Sequence, residues 1–223
     1  MDVDAIERRL AAAREEEQAV YRGMDPAKGG RTWEEFWAAS DVVLQLEREL
    51  AAAKGEEHAV PIDFPVLWDI GAPAPHLLQS DRKTLLIFRI NEQDTDWDGT
   101  FVRIVDTGDE TIEALALVQF FGVTATRFGD PNDEVAHGHP LHGRGLDAYR
   151  AQRVVSSRWL AELEAINRVH SLYDPESWRD SNHYVFWFHD STFECIARSF
   201  TVEVFRESFA DLLARTCRRL LGN

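Results

Sequence analysis

His183-Tyr-Val-Phe-Trp-Phe-His189 is apolar on both of its alternating faces. In an extended chain successive side chains point to opposite sides, so Val185 and Trp187 face one way and Tyr184, Phe186 and Phe188 the other. A strand that is wet on one side would alternate polar with apolar, so this stretch reads as a central strand covered on both faces. It fixes the class of fold expected for everything around it.

Working outward, His189-Asp190-Ser191-Thr192 reads as a turn into a second run, Phe193 to Arg198, and Phe200, Val202 and Val204 carry the alternation further. A final helix is expected from about Arg206, with Phe209, Leu212, Leu213 and Leu220 on its apolar side. Arg215, Arg218 and Arg219 stand near its C-terminal end, where the helix dipole favours cations. Upstream, Thr84–Ile90, Phe101–Val105 and Ile112–Thr126 are rich in β-branched and aromatic residues. The turns between them are short and polar, which favours antiparallel neighbours. Tyr149–Ser156 reads as one more strand, and Ser157 as the cap of a helix through Trp159, Leu160, Leu163 and Ile166 to about His170. The prolines at 61, 65, 73 and 75 exclude a helix there and suggest an irregular entry to the sheet.

The first 57 residues follow a different period. Residues 2–22 repeat at about 3.6 with a narrow, alanine-rich stripe. The turn-forming residues Asp25-Pro26 and Gly29-Gly30 separate them from a second helix. Thr32 and Glu35 make a capping box for that helix, which carries Phe36, Val43, Leu46 and Leu50 and stops at Gly55. The expected architecture is therefore α+β: an antiparallel β-sheet packed with helices over residues 60–223, preceded by an N-terminal antiparallel helical hairpin over 1–57.

Charge narrows the choice of partner. The chain has 39 Asp and Glu against 24 Lys and Arg, a formal net charge of −15. That disfavours a nucleic-acid surface, which needs clustered cations, and an anionic membrane surface for the same reason. Small molecules and basic proteins remain. The hairpin is itself acidic, with 14 Asp and Glu against 8 Lys and Arg over residues 1–57. It reads either as an arm packed on the main domain, as a homodimer contact, or as a partner-binding arm. Two cysteines, 195 and 217, cannot build a disulfide framework, and Cys195 alternates with Phe193 and Ala197 as a core residue would. No apolar stretch follows the charged N-terminus, so the expectation is a reduced, soluble, cytoplasmic protein.

The chemistry-bearing residues gather in Phe128–Leu146, FGDPNDEVAHGHPLHGRGL, where repeated Gly and Pro prevent one helix or strand from running through. His137, His139 and His142 offer an H-x-H pair and a nearby third imidazole, a candidate divalent-metal site. The glutamate position of a cupin motif is filled by Gly143 and Arg144, however, and H-E-x-x-H is absent. Asp94, Asp96 and Asp98 before Gly99 resemble the opening of a calcium loop, but Val105 stands where the bidentate glutamate would be, and a hairpin turn accounts for the same residues. No G-x-S-x-G elbow and no Gly-rich nucleotide loop is present.

The strings FGDPNDEVAHGHPLHGRGL and FHDSTFECIA resemble those of a group of small bacterial proteins to which no activity is attached. The resemblance covers roughly 65–204. It implies a shared fold and a bacterial source, and it carries no catalytic residue across.

Two functional readings follow. In the first, the 130–145 loop meets the 189–194 turn in a small-molecule or small-enzyme site, with His139, His189 and Asp190 as proton carriers or ligands. Arg144 would then hold a polar or anionic substrate group, with Asp133 a second substrate-binding candidate, and either Asp133 or Asp190 would orient the imidazoles. His183 and Glu194 are further candidates to hold a metal or a proton. In the second, the protein is a non-catalytic acidic partner of a basic protein, in the manner of an immunity protein or antitoxin. A purely structural loop would explain the same polar residues by mutual hydrogen bonding.

Overall fold

The computed structural model describes residues 2–24, 30–91, 107, 108 and 110–222. The Asp94–Gly99 motif, the run Phe101–Val105 and the turn residues Asp25, Pro26 and Gly29 lie outside them. The fold is α+β, with an N-terminal helical pair and two antiparallel sheets packed with helices.

Helices α1 (Val3–Arg22) and α2 (Trp33–Lys54) form the pair. Contacts of Glu7 with Lys54, Arg9 with Glu49, Arg14 with Glu47 and Tyr21 with Phe36 show that they run antiparallel. The capping box forms as the sequence suggests: Thr32 accepts from the Glu35 amide at 3.3 Å, and the Glu35 carboxylate accepts from the Thr32 amide at 2.9 Å. Gly55 ends α2 in the left-handed conformation, φ +68°. Thr32→Ala should cost about 1 kcal/mol, read as a lower urea midpoint at unchanged m-value.

The single expected sheet is two. The first orders its strands β1-β6-β7-β8-β5, with β1 His58–Pro61, β5 Ala125–Gly129, β6 Ala151–Val155, β7 Asn182–Trp187 and β8 Thr192–Ala197. The second runs β2-β3-β4-β9, with β2 His76–Gln79, β3 Thr84–Arg89, β4 Ile112–Phe121 and β9 Ser199–Ser208. Strand β7 is central in its sheet, as its two apolar faces require. Tyr184, Phe186 and Phe188 pack towards the second sheet against Phe88, Phe120 and Trp68, while Val185 meets Ala59, Leu141 and Val154 on the opposite face. Helix α4 (Phe209–Leu221) covers the far side of the second sheet, setting Phe209 and Leu212 on Leu85, Ile87, Leu115 and Leu117. Helix α3 is Arg158–Asn167.

One bend joins the two sheets. The stretch expected as a single strand, Ile112–Thr126, breaks at Gly122 (φ +61°) and passes from the second sheet to the first. Opposite it, the run from Phe193 onward breaks at Arg198, whose amide donates to Phe121 O at 2.9 Å. Phe121 pairs with Ser199 and Ala125 with Ile196, so four steps on one strand face three on the other. That surplus residue is a bulge, which bends a paired ribbon and lets strands turn from one sheet into another.

Two smaller differences have local causes. Helix α4 starts at Phe209 rather than near Arg206, because all ten residues of β9 pair with β4 and Ser208 then caps the helix through the Asp211 amide. Strand β1 pairs with β6 although Pro61 ends it; proline is tolerated there because β1 is an edge strand.

Candidate functional site

Beyond Gly129 the chain passes Asp130, a cis Asp130–Pro131 peptide and Asn132 into a 3-10 turn, Asp133–Gly138. The turn is tied to the end of β7. The Asp133 amide donates to His189 O at 3.1 Å, and Thr192 Oγ1 donates to Pro131 O at 2.8 Å. The loop and the turn that the sequence singles out therefore do meet in space.

At that meeting point, Asp133 Oδ2 takes two hydrogen bonds. One comes from His189 Nδ1 at 2.8 Å, the other from the Tyr149 hydroxyl. Tyr149 Oη lies 3.4 Å from His189 Nδ1, a separation suited to two donors sharing one acceptor. Tyr149 holds a left-handed backbone, φ +61°, pinned by its amide donating to Trp187 O at 3.0 Å. An aromatic residue with positive φ is strained, and such strain persists only where the surroundings over-determine it. Here it delivers the phenol to Asp133.

The electrostatics follow from these bonds. The hydrogen bond to Asp133 holds the imidazolium of His189 above the ordinary histidine range; partial desolvation opposes this, and the charges of Asp133, Asp190 and Glu134 add to it. Burial pushes the Asp133 carboxyl up, but the hydrogen bonds from Tyr149 and His189 outweigh it and bring it below its usual value. Burial first, then Asp133, pushes Tyr149 well up, so its hydroxyl stays protonated. With Nδ1 committed to Asp133, Nε2 is the ring nitrogen left for another partner. The side chain is 42% exposed, and Asp190 Oδ1, itself largely exposed, lies 3.9 Å from Nε2.

The other expected residues are placed elsewhere. His139 is buried against Trp187, with ring centroids 5.1 Å apart, and its Nδ1 accepts from the Leu141 amide at 3.1 Å. Burial holds its pKa down, so it is neutral. His137 and His142 are exposed on the same loop. Among the described residues no group of three or more His, Cys, Asp or Glu side chains is arranged to hold a metal ion. Arg144 is turned to the link between α2 and β1, 3.3 Å from Glu56 and 3.9 Å from Glu57. A polar cavity of about 520 Å³ between the β2–β3 turn and residues 122–124 contains none of these residues.

Beneath α3, on the outer face of the first sheet, lies a second network. Ser157 Oγ is 2.8 Å from His183 Nδ1, and His183 Nε2 is 2.7 Å from Glu194 Oε2. Ser157 also accepts from the Leu160 amide at 3.1 Å as the cap of α3, which frees its hydroxyl proton for His183. Trp159 lies edge-on to His183, and the Arg127 guanidinium stacks 3.9 Å over Trp159 and reaches within 4.0 Å of Glu194. All three members are buried, so this arrangement closes a polar pair inside the protein rather than presenting it to a substrate.

Tyr149 is the member of the exposed site that sequence reasoning missed. Its place at the head of a predicted strand disguised it, and positive φ leaves no mark in a tyrosine. No family model matches the chain, and neither a curated protein nor a solved structure matches it.

Proposed function

We propose that the protein performs acid–base chemistry on a small molecule at His189. Asp133 fixes the tautomer and orientation of the imidazole, and Tyr149 supplies a neutral hydroxyl donor beside it. One observation supports this reading: three separate chain segments converge on a single carboxylate oxygen and leave His189 Nε2 free of any hydrogen bond among the described residues, on a side chain that is 42% exposed. A carboxylate behind an imidazole is the arrangement that lets histidine take a proton and return it. Because the hydrogen bond to Asp133 raises its pKa, His189 keeps its proton to higher pH than an ordinary histidine, donating it below that pKa and accepting one above it. The carboxylates of Asp133, Glu134 and Asp190 around it favour a neutral or cationic substrate. An anionic one, as expected if Arg144 served the site, does not suit that charge.

The reading is tested on His189 directly. Its ring protons, followed by NMR, should titrate above 6.5 in the wild type and at lower pH in Asp133→Asn. In a screen of neutral and cationic esters, amides and amines, any turnover should fall by about 10²–10⁴ in His189→Ala. Its acid limb should move to lower pH in Asp133→Asn. Turnover indifferent to His189→Ala would remove the proposal.

A further inference from the structure

The far end of the helical pair carries aromatic rings on its surface. Tyr21 is 61% exposed, Trp33 54% and Trp37 55%. Trp33 and Trp37, one helical turn apart, stack with centroids 6.2 Å apart at 28°. Phe36 meets both nearly edge-on, and Tyr21 reaches across from α1 to Phe36 at 5.7 Å. These rings pack on one another at the surface, with Val20 buried beside Tyr21. The apolar contact that closes the pair is made by Ile6, Leu10, Val43 and Leu46. Clustered exposed aromatics, held rigid and rimmed by polar groups, are the usual mark of an interaction surface.

The rim has one dominant sign. Trp33, Trp37 and Asp41 follow one another at four-residue intervals, which places them along one line of α2. Glu34 adjoins Trp33, and Glu15 and Glu16 are exposed near the facing end of α1. Of the described cations nearby, Arg31 is engaged by Glu35 at 2.9 Å and Glu16 at 3.8 Å, while Arg22 donates to Gln18, so the carboxylates still outnumber the cations on this rim. We propose that this tip docks a segment of a partner protein rich in Lys and Arg. Its cations would lie over the indole faces of Trp33 and Trp37, and its apolar side chains would pack between the rings. Indole is the best cation acceptor among the aromatic rings, and the carboxylates of Asp41 and Glu34 complete the match in charge. A second copy of the chain would bring an equally acidic tip to the same place, and the like charges oppose that pairing.

The test uses the full chain and a synthetic peptide of about fifteen residues alternating Arg with Leu. Binding is followed by tryptophan fluorescence and by calorimetry. Affinity should fall roughly tenfold or more in Trp33→Ser/Trp37→Ser, whose fold is checked by circular dichroism. It should also weaken several-fold between about 50 and 300 mM salt. Ile112→Ser, which removes another exposed apolar side chain, should leave it unchanged. Four results would overturn the proposal. The double variant could bind as well as the wild type, a Glu–Leu peptide could bind equally, or a peptide with Leu replaced by Ser could bind equally. Finally, sedimentation could show a dimer that Trp33→Ser/Trp37→Ser dissociates, which would assign the patch to a second copy.

Discussion

His183→Leu should destabilise the protein by about 3–5 kcal/mol, because it strands the Glu194 carboxylate inside the fold without its partner. The side chains of His183 and Glu194 are only 5% and 11% exposed, and they meet at 2.7 Å. Taking both away is a different matter. His183→Leu/Glu194→Leu removes the buried charge along with its partner, and apolar pairs of similar volume commonly match or exceed a buried ion pair. The double variant should therefore unfold in urea close to the wild type, well short of the sum of the single losses. A double variant as unstable as that sum would show the network contributing more than mutual neutralisation.

The same pair sets an acid limb. Burial pushes the Glu194 carboxyl up, but the hydrogen bond from His183, with the Arg127 guanidinium nearby, outweighs this and places it below 4.5. A depressed carboxyl stabilises the fold at pH above its ordinary value, and that contribution is lost as pH falls through the folded value. The stability gap between wild type and Glu194→Gln should thus be constant near neutrality and narrow as pH drops below 4.5.

Gly145→Ala is the second large effect. Gly145 holds φ +78°, and a Cβ there would overlap the Arg48 side chain and lie 2.8 Å from Ala59 O. The site is where the helical pair meets the sheets. Buried Glu47 accepts from the Gly145 amide at 3.1 Å, and Arg48 donates to Gly145 O at 3.0 Å and to Ala59 O at 3.1 Å. A side chain in the left-handed region costs about 1–2 kcal/mol, and each charge-assisted hydrogen bond lost adds roughly 1.5–3 kcal/mol. Denaturation should show the sum of these, and hydrogen exchange should quicken first at 45–50 and 58–60, where the two parts meet. An alanine variant as stable as the wild type would mean that this junction relaxes at little cost.

Some of the architecture was legible before any coordinates. The two apolar faces of His183–His189 require a central strand, and the Thr32–Glu35 spacing with Gly55 bounds a helix at both ends, because these signals act over a few residues. The bend at Gly122 and Arg198 was partly written too. The apolar parity runs 193, 195, 197 and then 200, 202, a slip of one residue at 198. Read as continued alternation, it conceals the turn from one sheet to the other; read as a change of phase, it marks it.

The candidate site divides along the same line. That the 130–145 loop would meet the 189–194 turn was inferred from two polar clusters, and local chemistry suffices to mark such clusters; that Asp133 rather than Asp190 would hold His189 was not. Which of the loop's histidines would join them was not decidable that way. His139 goes into the protein because Trp187 offers a ring to pack on, and Arg144 goes to Glu56 and Glu57 because the link from α2 to β1 brings those carboxylates there. Tyr149 reaches Asp133 only through a strained backbone held by Trp187 O, and His183 finds Glu194 through a register between β7 and β8. Period, caps and breakers are short-range properties, so the sequence by itself determined the elements, their faces and the polar segments between them. The division into two sheets, the shared carboxylate of Asp133 and the buried pair of His183 and Glu194 depend on contacts between residues far apart in the chain, and only the tertiary structure could decide them.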